Sequence, residues 1–244
     1  MTVPADAGAP VTVPAGTSAD DCPAPRWCPV GSSAWVPEAR TVRLSADAPF
    51  WRCYDGTWGY DEFNPGYGDT RFAPLADDSG HPLPTIYAAG TREAALLEVV
   101  FHDVHQDAER LVYEGDLRKL LLCQVLLPTP PVVVDLRDDA LELLGLHRGQ
   151  LVSGPAEHYP CTRRIARQLH RQHPNAEGLV WHSRQAELGG HGHVETLVLF
   201  GDRYGVERGS WSRIGSGSEA LMVGAGRLLI DEIATRLGAI VIPA

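Results

Sequence analysis

The spacing of apolar positions along the chain predicts a fold that mixes strands and helices. Short runs rich in β-branched and aromatic residues predict strands. They lie at residues 48–54, 85–90, 119–127, 131–136, 178–184, 195–200 and 238–243. Apolar residues that recur every three or four positions predict helices at residues 91–103, 138–146, 162–173 and 227–237. Because strands and helices do not alternate regularly, this order favours an α+β fold over a doubly wound sheet.

The chain divides into two parts of different composition. Residues 1–40 are rich in Pro, Ala, Thr and Ser and have no sustained apolar period, which predicts a flexible N-terminal extension. Residues 41–244 carry the predicted strands and helices. About 200 residues are enough to bury one core, so we predict a single folded domain over residues 41–244.

The predicted helix after residue 90 carries a carboxylate on its apolar side. Thr91 offers a hydroxyl as N-cap, and Ala94, Leu97 and Phe101 form one apolar stripe on a helical wheel. Glu98 falls inside that stripe. A carboxylate that faces a core must be paired, protonated or used in chemistry, because burying it alone costs several kcal/mol. This pattern leaves open whether Glu98 serves catalysis or pairs with an arginine for structure.

A long loop rich in glycine and aromatic residues follows the first predicted strand, over residues 55–72. Glycines permit tight turns and a close approach of the backbone to a ligand, and aromatic side chains supply faces for stacking. The composition fits a ligand-binding loop. It fits equally well a surface loop that is anchored by aromatic side chains.

The charge and hydropathy of the chain limit the kinds of partner that it can bind. The chain has 31 acidic and 21 basic residues, with a formal net charge of −10. This disfavours a surface that follows nucleic-acid phosphates, but it permits a local arginine cluster that binds a small anion. The N-terminal stretch lacks the cationic start and the continuous apolar run of a secretory signal, and nowhere do about 18 apolar residues follow one another without a charge. We therefore expect a cytoplasmic protein with no membrane span and no direct contact with nucleic acid.

The cysteines and histidines do not form a recognisable metal-binding motif. The five cysteines are scattered and include no CxxC pair: Cys22, Cys28, Cys53, Cys123 and Cys161. This arrangement is typical of reduced, mostly buried thiols in a cytosolic protein. His191 and His193 offer two imidazoles, but no HExxH motif or cysteine partner accompanies them, which favours an ordinary loop. No metal site is predicted.

Several polar residues beside apolar runs follow the order and spacing of one protein family. The chain carries Trp51-Arg52, Arg71-Phe72, Tyr87-Ala88-Ala89 followed by Ala95-Leu-Leu-Glu98, and Gly178-Leu-Val-Trp-His-Ser-Arg184. These motifs resemble the RES-domain family, which is named for its Arg, Glu and Ser residues. The resemblance covers about residues 48–205, most of the predicted domain. One departure is His182, at a position where the family more often has Tyr or Pro.

The resemblance implies an ADP-ribosyltransferase-like fold, a single domain of mixed, strongly twisted β-sheets flanked by helices, with NAD bound in a cleft. Members of the family are NAD-degrading toxins of bacterial toxin–antitoxin pairs, and a helix-turn-helix antitoxin restrains them. The chain is therefore expected to cleave the nicotinamide–ribose bond of NAD by phosphorolysis or hydrolysis. NAD is then a substrate, inorganic phosphate is the co-substrate of phosphorolysis, and no resident cofactor is expected. A homodimer is left open.

The chemistry of the matched residues fits this expectation. Cleavage develops an oxocarbenium-like ribose, which the Glu98 carboxylate can stabilise by charge or by holding a ribose hydroxyl. The forked donors of Arg52 and Arg71 match a pyrophosphate or an attacking phosphate, so both are predicted to reach one pocket beside Glu98. Tyr87 can stack on nicotinamide, and Ser183 can donate to the ribose or to the nicotinamide amide. The predicted catalytic residues are Glu98, Arg71 and Tyr87; the predicted substrate-binding residues are Arg52, Arg71, Tyr87 and Ser183.

The sequence is also compatible with two other functions. An ADP-ribosyltransferase would use the same residues to modify a protein or a nucleic acid, and it would need a surface that docks the acceptor. A catalytically silent member of the family would only bind a partner protein. Loss of Glu98 or Arg71 would have favoured the silent member, and both residues are present.

Overall fold

The computed structural model describes residues 28, 39–102, 104, 108–205, 207 and 210–243. The predicted extension over residues 1–40 lies outside the described residues, except for positions 28, 39 and 40. Among the helices of the described residues, none is long and apolar enough to cross a bilayer.

Strands and helices follow one another in a mixed order along the described chain. The strands are β1 (Thr41–Arg43), β2 (Phe50–Asp55), β3 (Leu75–Ala76), β4 (Pro82–Leu83), β5 (Thr85–Ala89), β6 (Leu111–Tyr113), β7 (Leu120–Leu126), β8 (Val132–Asp135), β9 (Gly178–His182), β10 (Glu195–Phe200), β11 (Ser212–Ala220) and β12 (Ile240–Ile242). The helices are α1 (Arg92–Val99), α2 (Glu114–Leu117), α3 (Asp138–Leu143), α4 (Arg148–Leu151), α5 (Tyr159–Gln172), α6 (Arg184–Leu188) and α7 (Gly224–Leu237). A turn of 3-10 helix, Ala156–His158, leads into α5.

An eight-stranded sheet forms the centre of the fold, in the order β1-β8-β9-β10-β5-β2-β7-β11. β8 and β9 run parallel, and the other neighbouring strands of this sheet run antiparallel. A parallel pair needs a long connection, and the segment that contains α5 supplies it. β12 pairs with β6, and β3 with β4, in two small sheets. The mixed sheet and its helices confirm the predicted α+β fold class.

Each strand and helix predicted from the sequence is present. The structure also contains short or polar elements that the sequence pattern did not predict. β11 is the clearest case, because its sequence has no apolar alternation. It forms at the outer edge of the sheet, where β7 offers backbone groups for pairing, and its register breaks between Ile214 and Glu219. Gly215 adopts φ +75°, a left-handed conformation that glycine reaches without strain. The neighbouring backbone, rather than an apolar pattern of its own, specifies this strand.

α1 packs beside β2 and β5 and carries Glu98 in its last turn. The Thr91 hydroxyl accepts a hydrogen bond from the backbone N–H of Ala94 at 3.1 Å, so the predicted N-cap is confirmed. Residues 94–97 are buried in an apolar cluster. The helix ends at Val99, earlier than predicted, and just beyond it the backbone N–H of Phe101 bonds the carbonyl of Leu96 at 3.2 Å, five residues back instead of four. Phe101, just beyond the helix, is fully buried and still reaches the core.

An ion-pair cluster around one buried carboxylate fixes the end of β8. Asp135 is fully buried and accepts hydrogen bonds from Arg40 at 2.7 Å and from Arg137 at 2.8 Å. Arg137 also pairs with Glu195 on β10. Burial alone would raise the pKa of Asp135, but the hydrogen bonds from the two arginines outweigh it and lower the pKa to about 2. The cluster therefore ties three separate segments together at this end of the sheet.

Candidate active site

A cavity of about 500 Å³ lies between α1, the loop 55–72 and the central strands. Residues of β2 and β5 line it, together with residues from the first turns of α5 and α6. Its size falls within the range of about 300–1,000 Å³ that is usual for small-molecule sites. Four of the predicted site residues line this cavity: Arg52, Arg71, Tyr87 and Glu98.

Glu98 is half-buried at the cavity wall, and Ser183 holds its carboxylate. The Ser183 hydroxyl donates a hydrogen bond to Oε1 of Glu98 at 2.5 Å. Burial is the largest influence on this carboxyl and raises its pKa. The hydrogen bond from Ser183 and nearby cationic side chains, Arg71 first, offset part of that effect. A carboxyl with a raised pKa in a cleft is typical of a functional group rather than of a solvated surface residue.

Ser183 is fully buried between Glu98 and the start of α6. Its hydroxyl also accepts a hydrogen bond from the backbone N–H of Ala186 at 3.0 Å, which makes Ser183 the N-cap of α6. The hydroxyl is thus engaged within the protein on both sides. This geometry gives Ser183 a positioning role, in which it orients Glu98. Its direct contact with a substrate stays a prediction.

Backbone carbonyls and an aromatic ring hold Arg71 at the cavity. Its guanidinium donates to the carbonyls of Leu151 at 3.3 Å and Gly154 at 3.0 Å, and lies 4.9 Å from the centroid of the Tyr159 ring. The Thr162 hydroxyl donates to the backbone carbonyl of Arg71 at 2.5 Å. Burial lowers the pKa of Arg71, but an arginine stays protonated. Because a guanidinium has more N–H donors than two carbonyls take up, Arg71 can still bind an anion.

Arg52 fastens the glycine-rich loop to the sheet. It is buried on β2, and its guanidinium donates to the carbonyls of Tyr60 at 2.5 Å and Glu62 at 2.9 Å. Burial lowers its pKa to about 10, so the side chain is cationic at neutral pH. Arg52 and Arg71 line one cavity with Glu98, as predicted. The role of Arg52 in binding substrate stays a prediction, and the geometry adds a structural role.

Tyr87 anchors the segment that carries Arg71. Its hydroxyl accepts a hydrogen bond from the backbone N–H of Phe72 at 3.2 Å and lies 3.0 Å from the hydroxyl of Thr70. Burial is the main reason that the pKa of Tyr87 is raised, so the phenol keeps its proton at neutral pH. The ring meets Trp181 edge-on, with centroids 6.0 Å apart. Tyr87 is therefore held in one orientation on the cavity wall.

Two aromatic residues of the loop 55–72 also border the cavity. Trp58 and Tyr67 lie with their ring centroids 5.8 Å apart, and Trp58 is 37% exposed. The loop is therefore part of a concave site rather than an ordinary surface turn. Its exposed ring is available for stacking with a planar ligand.

Several residues that line the cavity were not among the predicted site residues. His102 lies one turn after Glu98, but its Nε2 lies 3.0 Å from the hydroxyl of Tyr159 and links the end of α1 to the start of α5. Arg184 lines the cavity, and its charge lowers the pKa of Glu98. The motif that ends in Arg184 pointed to this residue, whereas no sequence motif marks Tyr159 as part of the site.

Residues 46–208 match the family model of the RES domain. The fold is similar to that of a chain in the crystal structure of the M. tuberculosis MbcT–MbcA toxin–antitoxin complex, with a TM-score of 0.54 and 17% sequence identity. The match covers 80% of this chain and 92% of that chain. The sequence matches none of the curated proteins with which it was compared. Since the family model spans well over half of the sequence and includes the segments that build the cavity, the chain belongs to the RES-domain family.

Proposed function

We propose that this protein is an NAD-degrading enzyme that cleaves the nicotinamide–ribose bond and acts as the toxin of a toxin–antitoxin pair. The observation that carries this proposal is the placement of Glu98. Its half-buried carboxylate has a raised pKa, is held by Ser183, and shares a cavity with Arg52 and Arg71. Membership in the RES-domain family supports the same assignment.

The carboxylate of Glu98 supplies the electrostatic part of the reaction. When the bond breaks, nicotinamide leaves with the bonding electron pair and positive charge develops on the ribose. A fixed, poorly hydrated carboxylate interacts with that charge more strongly than one in bulk water. Ser183 occupies Oε1, which leaves Oε2 for a ribose hydroxyl or for the developing charge.

Arg71 and the aromatic residues supply binding. Arg71 is a fixed cation in a protein of net charge −10, so it can attract the pyrophosphate of NAD or an attacking inorganic phosphate. Tyr87 and Trp58 can stack on the flat rings of the dinucleotide. Phosphate or water then attacks the ribose carbon that nicotinamide has left. The attacking species decides between phosphorolysis and hydrolysis.

Incubation of the purified full-length protein with NAD, with and without inorganic phosphate, tests the proposal. We expect release of nicotinamide, which chromatography and mass spectrometry detect. Phosphorolysis would give ADP-ribose 1″-phosphate only when phosphate is present, whereas hydrolysis would give ADP-ribose in both reactions. Absence of nicotinamide release in both reactions would contradict the proposal. Release that occurs only with a macromolecular acceptor, which itself becomes ADP-ribosylated, would identify a transferase instead.

An antitoxin protein is the partner that we propose. The solved structure with a similar fold is that of a toxin–antitoxin complex. We infer a helix-turn-helix antitoxin with a terminal segment that enters the cavity beside Tyr87 and Glu98. A segment bound in the cavity would exclude NAD and so protect the cellular NAD pool until the antitoxin is removed. The proposed site of action is the cytoplasm, where that pool is found.

Replacing Ser183 with Ala is expected to lower kcat/KM for NAD on the order of tenfold or more, the scale of one hydrogen bond to a charged group. The Ser183 hydroxyl lowers the pKa of Glu98. Its loss should raise that pKa further, so the acid limb of the pH–rate profile should move to higher pH. Measuring kcat/KM across pH for both proteins checks this shift.

Thr91→Ala is the matched control for Ser183→Ala, because Thr91 is the N-cap of α1 and its hydroxyl bonds Ala94. Both substitutions remove a helix N-cap, whose loss costs about 1 kcal/mol of folding stability. Only Ser183→Ala removes a donor to the Glu98 carboxylate. If the acid limb of the pH–rate profile does not move in Ser183→Ala, Ser183 does not position the Glu98 carboxylate.

A further inference from the structure

A cluster of three side chains that can act as metal ligands lies outside the cavity. The donor atoms of Cys28, His158 and Cys161 all lie within 4.8 Å of one another. All three residues are buried, with exposed fractions of 6%, 1% and 4%. Neither cysteine is in a disulfide. Two thiols and an imidazole in one buried cluster form a donor set that zinc prefers.

Local structure brings two of these donors together, and a distant segment adds the third. His158 ends the 3-10 turn, and Cys161 follows three positions later in the first turn of α5. Side chains three positions apart in a helical segment lie on the same face. Cys28 comes from the N-terminal segment, and its Sγ lies 3.3 Å from Nε2 of His158.

The observed separations fit a tetrahedral ion. With Zn–S near 2.3 Å and Zn–N near 2.0–2.1 Å, two sulfurs of a tetrahedral site lie about 3.8 Å apart, and a sulfur and a nitrogen lie about 3.5–3.6 Å apart. The 3.3 Å contact between Cys28 and His158 is already close to that value, and all separations within the cluster are below 4.8 Å. Small side-chain movements are therefore enough to coordinate an ion.

We propose that Cys28, His158 and Cys161 bind a structural zinc ion that holds Cys28 at the start of α5. On binding, each thiol releases its proton to solvent, and two thiolates and one neutral imidazole occupy three positions of the ion. A fourth ligand completes the tetrahedron, because structural zinc ions are almost always four-coordinate. The two thiolates balance the charge of Zn²⁺, which makes the buried site neutral.

The proposed ion would also brace one wall of the catalytic cavity. Tyr159 stands between His158 and Cys161 in the sequence, and its ring lies under the Arg71 guanidinium. Thr162, next to Cys161, bonds the backbone of Arg71. Zinc would thus fix the turn that positions Arg71.

A second cluster of metal-type donors is less suited to an ion. Asp138 lies near His182 and His193, but its carboxylate already pairs with Arg148. The side chain of His193 is 62% exposed. A neighbouring guanidinium opposes a cation, and an exposed imidazole is solvated by water. The buried cluster at the start of α5 is therefore the site that we assign.

Metal analysis of the full-length protein, purified without chelators, tests the proposal. We expect about one zinc ion per chain in the native protein. Cys28→Ser and Cys161→Ser should each reduce the zinc content to near background. Cys123→Ser is the matched control, because it also removes a buried thiol that is not in the cluster, and it should retain the zinc.

Cobalt substitution gives a second measurement that does not depend on the folding of a variant. Co²⁺ added to the metal-free native protein should produce thiolate-to-cobalt charge-transfer absorption and the visible bands of a tetrahedral ion. Chelation should lower the unfolding temperature of the native protein but not that of Cys28→Ser. Three results would each overturn the proposal: native zinc content equal to that of the variants, a cobalt spectrum without thiolate bands, or a disulfide between Cys28 and Cys161 in the purified protein.

Discussion

Replacing Glu98 with Gln is expected to reduce NAD turnover by at least about a hundredfold, the usual scale for loss of one electrostatic contact to a transition state. Glutamine keeps the shape of the side chain and can still accept the hydrogen bond from Ser183. It lacks the negative charge that the developing ribose cation requires. Steady-state rates of nicotinamide release measure the effect.

Glu93→Gln provides the matched control for this substitution. Glu93 lies in the first turn of the same helix, where it pairs with Arg92 and does not line the cavity. We expect it to retain the turnover of the unaltered protein. Normal turnover in folded Glu98→Gln would remove Glu98 from the mechanism, whatever the control shows.

Stability gives an independent check that Glu98→Gln is folded. Burial raises the pKa of Glu98 above its ordinary value of 4.5. At a pH between 4.5, the pKa in the unfolded chain, and the raised pKa in the folded protein, the folded protein holds a proton that the unfolded chain has released. The free energy of unfolding therefore falls as pH rises through this window. Glutamine does not titrate. The variant should therefore unfold at a higher temperature than the unaltered protein at neutral pH, and the difference should shrink in mild acid.

The raised pKa also sets the pH dependence of the proposed reaction. The ionised form of Glu98 is the active one, because only the carboxylate stabilises a cation. Activity should therefore be lost as pH falls through the raised pKa, which lies at a higher pH than for an exposed glutamate.

Expression of this protein alone in a bacterial host is expected to arrest growth and to deplete cellular NAD. An unrestrained NAD-degrading enzyme consumes a metabolite that its host needs continuously. Glu98→Gln should relieve both effects at equal protein abundance, and Glu93→Gln should relieve neither. Growth curves and enzymatic assays of NAD in cell extracts provide the two measurements.

The two measurements together separate the alternative functions. Growth arrest with unchanged NAD would indicate an ADP-ribosyltransferase that poisons a macromolecule. Normal growth at high abundance of the protein would indicate a silent member of the family that only binds a partner. Arrest that persists in Glu98→Gln would show that toxicity does not depend on the proposed chemistry.

The sequence by itself determined the α+β fold class, the family and the position of Glu98 on α1. These features depend on local periodicity, on the Thr91 cap and on the order of short motifs, and all of them can be read along one stretch of chain. The edge strand β11 could not be predicted, because its pairing with β7 depends on backbone groups that are distant in sequence.

Only the tertiary structure shows how the candidate site residues contact one another. The contact between Ser183 and Glu98 joins positions 85 residues apart, and the carbonyls that hold Arg71 lie 80 and 83 residues beyond it. The approach of Cys28 to His158 spans 130 residues. Contacts of this range follow from how the helices pack on the sheet and from strand register, and no local pattern encodes them. For that reason the sequence indicated which residues are candidates for the proposed chemistry, while packing determined which of them hold others in place and where three possible metal ligands meet.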